Sequence, residues 1–112
     1  MKDELKKKLV EEFNHAKNLF RKGDYTACFS NLEIIHVLGQ KSVYWHTIAH
    51  LYMLRVGLKT ANMKEIMGQA IRLPLGVLGS LVQIVPTGNT GGSNVGLFKR
   101  MPISQELKSL LE

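Results

Sequence analysis

A single cysteine, Cys28, stands in the 112 residues, so no disulfide can form within the chain. That absence excludes a disulfide-stapled scaffold and points to a reducing, cytoplasmic compartment. A long apolar run is also missing. The most apolar stretch, Leu73 to Val85, is broken by Pro74, Gly76 and Gly79, and it falls short of the roughly twenty residues that a membrane-spanning helix needs. Met1 to Lys8 is charged with no apolar run behind it, so no secretory leader and no transmembrane segment are expected. Charge of one sign is not concentrated anywhere. The net charge is +6, from 15 Lys and Arg against 9 Asp and Glu, but the only consecutive lysines, Lys6, Lys7 and Lys8, are flanked by Glu4, Glu11 and Glu12. This pattern describes a solvated helix face, and no nucleic-acid partner is expected.

Catalytic motifs are scarce too. Thr47 follows His46 where a zinc-protease helix requires Glu. Gly88 to Gly92 lacks both the P-loop lysine and the dinucleotide-fold spacing. No serine sits in a nucleophile motif, and apolar neighbours leave Cys28 without a lowered pKa. An enzyme is not expected.

What is present is helix periodicity and a moderate apolar content of 45%, enough for one modest core. Leu5, Leu9, Phe13, Ala16, Leu19 and Phe20 recur at three- and four-residue spacings, which predicts an amphipathic helix over 3–22 that Gly23 stops. Asp24 caps a second helix carrying Cys28, Phe29, Leu32 and Ile35 and ending at Gly39. Ser42 caps a third over 42–58, apolar on most faces and therefore central. Asn62 caps a fourth over 63–73, with Ile66, Met67, Ala70 and Ile71 inward. A short apolar helix is expected over 74–85 after Pro74, then a glycine-rich loop over 86–103, and a terminal helix over 104–112 capped by Ser104. The fold class is thus all-α: one domain of antiparallel helical hairpins, with four or five helices, a glycine-rich loop and a short C-terminal helix. A shift of 34 residues lays Leu19 on Met53, Phe20 on Leu54, Gly23 on Gly57 and Leu32 on Ile66. Ala16, Leu19, Phe20, Gly23, Asp24 and Tyr25 resemble the first helix and turn of a tetratricopeptide repeat, although Cys28 stands where alanine is usual.

All four histidines lie in the first three helices. His46 and His50 are four apart and share a helix face, a spacing that supplies two metal ligands. Glu33 and His36 form an E-x-x-H pair, as do Glu12 and His15, but the further carboxylates of a di-iron bundle are missing. Glu33, His36, His46 and His50 gather if the second and third helices face each other, and this donor set suits zinc, iron, copper or nickel. The competing view makes these histidines hydrogen-bonded core residues. Gly88 to Gly92 either closes the bundle or cradles an anion with backbone amides.

The segments LEIIHVLGQ at 32–40, WHTIAHLYMLRVGL at 45–58, GQAIRL at 68–73, GNTGGSNVG at 88–96 and MPI at 101–103 resemble the bacterial domain-of-unknown-function family 3703. The likeness covers nearly the whole chain and departs at Ser104, where a proline is usual. The resemblance implies no established activity. It implies a small bacterial accessory protein linked to metal resistance, and its motifs fall on Glu33, His36, His46, His50 and the loop.

The function expected is therefore non-catalytic binding of a transition metal by Glu33, His36, His46 and His50. Asn89, Thr90 and Asn94 of the loop would orient the ligands or close the site. The alternative is a helical protein-interaction module with structural histidines and a protein partner or homodimer.

Overall fold

A computed structural model describes residues 1–112. It is all-helical, with five helices in the order α1 (Asp3–Lys22), α2 (Tyr25–Gly39), α3 (Val43–Lys59), α4 (Met63–Val82) and α5 (Gln105–Leu111). Helical pairs α1 and α2, α2 and α3, and α3 and α4 pack against each other in turn.

Each boundary follows from local chemistry. Gly23 adopts a left-handed conformation with φ 79°, and the amides of Gly23 and Asp24 return to the carbonyls of Phe20 and Leu19, which closes the end of α1. The side chains of Asp24, Ser42, Asn62 and Ser104 accept from the amides of Ala27, Trp45, Glu65 and Leu107 at the starts of α2 to α5. All four caps sit where the sequence places them.

The main core lies among α1, α2 and α3. Leu9, Ala16, Cys28, Leu32, Ile35, Ala49 and Met53 have no exposed surface. Phe13 meets Trp45 and Tyr52 edge-on, with ring centroids 5.9 and 5.1 Å apart, a favoured aromatic geometry. Cys28 donates its thiol to the Ala16 carbonyl, and burial, with a smaller push from Asp24, raises its pKa to about 11. It is an inert core residue.

Helix α4 departs from expectation twice. The pattern predicts a break at Pro74, yet α4 runs unbroken from Met63 to Val82 with Pro74 inside it. Proline removes the amide that would pair with the Ala70 carbonyl, but Ala70 and Pro74 are both exposed, so water reaches that carbonyl. Contacts on either side, through Gln69 and Ser80, hold both halves against α3 and the Gln40 carbonyl just after α2.

The second departure is the face presented. Met67 and Ile71 were expected inward by spacing, and they are 60% and 52% exposed; Ala70 is exposed and Ile66 only partly buried. The buried residues of α4 are Glu65, Gln69, Gly76 and Ser80. These form a polar and small stripe at helical spacing, and a polar stripe is buried only where it has partners. Gln69 and Ser80 find theirs in His50 and His46, and Glu65 finds its own in Gln69 and Ser93.

Candidate metal centre

His36 leaves α2 one turn before its end, while His46 and His50 leave α3 one turn apart. The crossing of α2, α3 and α4 brings the three rings together. They are 2%, 4% and 3% exposed, respectively, far drier than a solvated histidine. His50 Nε2 lies 3.0 Å from His36 Nε2 and 3.1 Å from His46 Nε2. One donor atom from each ring falls within a 4.8 Å group, which contains no carboxylate and no thiol.

The outer ring nitrogens decide the protonation. His36 Nδ1 lies 2.6 Å from the Asn89 carbonyl, which can only accept, so this nitrogen carries the proton. His46 Nδ1 lies 2.5 Å from Ser80 Oγ. The Ser80 hydroxyl spends its one proton on the Gln40 carbonyl at 2.8 Å, so here it accepts. His50 Nδ1 lies 2.6 Å from Gln69 Oε1. The Gln69 amide nitrogen donates to the Glu65 carboxylate at 2.6 Å and to the Gly91 carbonyl at 2.9 Å, and that fixes which end of the amide faces His50.

All three imidazoles are thus held as the Nδ1–H tautomer, with bare lone pairs at Nε2. Burial, the largest cause in each case, lowers the His46 and His50 pKa values to about 4 and holds His36 well below its ordinary value. The 3.0 and 3.1 Å separations are therefore hydrogen-bond lengths without a hydrogen. Three lone pairs pointed at one another repel unless a cation lies among them. A tetrahedral ion with bonds of about 2.0–2.1 Å needs all three nitrogen pairs roughly 3.3–3.4 Å apart. It is admitted when the His50 contacts open by a few tenths of an ångström and the His36 and His46 nitrogens, which lie within 4.8 Å of each other, settle to the same spacing. The donor set fits a borderline divalent ion, and the Nδ1 contacts are the outer partners that metal-bound histidines require.

Close approach of the backbone completes the site. A β-carbon on Gly76 would lie 3.1 Å from His50 Cδ2 and 3.2 Å from His46 Nε2. Gly91, at φ +88°, rests on the His36 ring, where a β-carbon would meet Cδ2 at 2.5 Å. The glycine-rich loop is thereby a lid on His36. Ser93 ties it to α4 through its amide and hydroxyl on the Glu65 carboxylate. Asn89 braces it from within, donating to the Gly96 and Lys99 carbonyls and accepting from the Gly91 amide.

The sequence candidates divide accordingly. His36, His46 and His50 come together. Glu33 does not join them: three residues before His36, its partly buried carboxyl lies beside Thr90, where burial raises its pKa, Thr90 opposes the rise and Glu65 adds to it. Thr90 thus touches Glu33 and not the imidazoles. Asn89 supports the site through its backbone carbonyl, whereas Asn94 is exposed on the outer side of the loop. His15 and Glu12 are also apart from the group, both contacting the Asn31 side chain.

Gln69, Ser80, Glu65 and Gly76 were not among the sequence candidates, whereas Gly91 belongs to the glycine-rich loop that was. The four lie on α4 at positions where the apolar pattern is interrupted, and they repeat at multiples of a helical turn. That stripe was the available signal.

The family model described as "Protein of unknown function (DUF3703)" matches residues 3–111. No curated protein and no solved structure matches the chain.

Proposed function

The chain belongs to the DUF3703 family of proteins of unknown function, and we propose that it binds one transition-metal ion through Nε2 of His36, His46 and His50. One observation carries this proposal. Every Nδ1 is committed to an acceptor, so three buried lone pairs converge with no proton to share. Ordinary core histidines donate and accept in turn; these three only accept at their inner nitrogens.

Zinc, nickel, copper and cobalt all suit three imidazoles. The protein supplies the ligands, fixes their tautomers and seals them beneath the loop. It is a binding protein in this account, and none of the ligands serves as a nucleophile. Titrating the purified chain with each of the four ions tests the assignment. One ion per chain is expected, with binding lost in a His46→Ala, His50→Ala double variant. Absence of stoichiometric binding, or binding unaffected by the double variant, refutes it.

A second reading, protein interaction, is favoured by the outer face of α4. Met63, Met67, Ile71, Leu78, Leu81 and Val82 are each more than half exposed, and no charged side chain occurs over 73–98. An apolar face of this kind marks an association surface. Light scattering across a concentration series tests it: a dimer disrupted by Ile71→Lys and Leu78→Lys supports the surface, and a monomer at all concentrations counts against it. Metal binding and association at this face are compatible.

A further inference from the structure

Three imidazoles leave a divalent ion at least one ligand short. No Asp, Glu or Cys belongs to the donor group, so the missing ligand does not come from these side chains. Beside the triad lies a cavity of about 60 Å³, walled by His36, His46 and His50 and, among other residues, by Gln40, Arg72 and Asn89. One water occupies about 10–15 Å³ by this measure, so the space admits several waters or an anion of about three or four heavy atoms.

Arg72 is the only charged side chain in that wall, the three imidazoles being neutral. Its guanidinium donates to two carbonyls, Val95 at 2.8 Å and Gly68 at 3.2 Å. Neither carries charge. No carboxylate pairs with it, since the one ion pair of the chain joins Lys8 and Glu12. It shares the cavity wall with all three imidazoles. Three neutral imidazoles, a divalent cation and an unpaired guanidinium gather three positive charges in a partly buried space. Such a site calls for a counter-anion.

We propose that the open coordination position takes a small anion, held between the metal ion and the Arg72 guanidinium. The ligand class is an exogenous anion of azide, formate or bicarbonate size. Arg72 binds and orients it by charge-assisted hydrogen bonds. This proposal rests on the metal assignment above.

The test uses the full chain loaded with cobalt(II), titrated with sodium azide and separately with sodium formate, and followed by visible absorption. A saturable spectral change is expected with either anion. Arg72→Met should weaken anion affinity about tenfold or more, while cobalt affinity changes several-fold at most. Arg72→Lys, which keeps the charge, should recover part of the loss, and it guards against a folding defect in the methionine variant. A spectrum blind to both anions means that water alone fills the position and overturns the proposal. Equal anion affinity in Arg72→Met and the natural chain overturns it as well. Failure of cobalt to bind at all is a different result: it removes the metal assignment itself, and this inference falls with it.

Discussion

Gln69 Oε1 accepts from His50 Nδ1 at 2.6 Å, and the same amide donates to the Glu65 carboxylate at 2.6 Å. The carboxylate is thereby relayed through a neutral amide to an imidazole that it never touches. Replacing Gln69 with Leu removes the His50 acceptor and strips one donor from Glu65. Metal affinity is expected to fall about 10- to 100-fold, and the metal-free protein to lose about 1–3 kcal/mol of stability. Chelator competition and urea unfolding measure the two effects. Unchanged metal affinity would show that the relay does not orient the ligand.

Gly76 separates the role of the site from the role of the helix. Alanine inside a helix is favoured over glycine by about 1 kcal/mol. Here, however, its β-carbon would sit 3.1–3.2 Å from two imidazoles, tighter than ordinary contact. Gly76→Ala is expected to leave the metal-free melting temperature within a few degrees of the natural chain while metal affinity drops about tenfold. Equal affinity in the two proteins would show that the rings have room to spare.

The lid has its own weak point at Gly91. Alanine there must take φ +88° and place a β-carbon 2.5 Å from the His36 ring, so the loop cannot close as it does now. A stability loss of about 1–3 kcal/mol is expected. Faster amide exchange over 86–103 should accompany it, with α1 and the start of α2 little changed. Uniformly faster exchange through the whole chain would contradict a separable lid.

The buried imidazoles make the metal-free protein acid-sensitive in a definite window. Unfolded histidine titrates near 6.5, whereas His46 and His50 are lowered to about 4 and His36 is held well below its ordinary value, each chiefly by burial. As pH falls below 6.5 the unfolded chain takes up protons that the folded chain refuses, so stability is full above pH 6.5 and is lost toward pH 4. The facing charged groups are Arg72, which reinforces the effect on His36 and His50, and Glu65, which reaches His50 only through Gln69. By pH 5 the loss is about 2 kcal/mol for each of His46 and His50. Urea midpoints at pH 8, 6.5 and 5 check it: the first two should differ little and the third should fall. A His46→Gln, His50→Gln variant should show a shallower drop. Equal drops in both proteins would contradict the assignment.

The stop of α1 and the starts of α2 to α5 were legible because each is a local matter: Gly23, Asp24, Ser42, Asn62 and Ser104 act on amides within a few residues, whereas the end of α4 was misplaced because Pro74 does not break it. His46 and His50 could be paired from spacing alone, since four residues return to the same face. The orientation of α4 was not legible by the usual rule. Its apolar residues outnumber the polar ones, yet it buries Glu65, Gln69 and Ser80 because those groups have partners on α3 and the loop. Hydrophobic periodicity points the wrong way wherever a polar network occupies the seam. Glu33 illustrates a related limit. Its spacing to His36 is right for a shared site, but the carboxyl turns to Thr90, a residue 57 positions away along the chain.

X-ray absorption at the metal edge of the zinc-loaded full chain tests the central claim most directly, because it counts the atoms bound to the ion. The account predicts three imidazole nitrogens at about 2.0–2.1 Å with one further light atom, and a shell reduced by one imidazole in any variant that keeps the metal after losing one of the three histidines. A first shell containing sulfur, or one unaltered by the loss of His50, would contradict it.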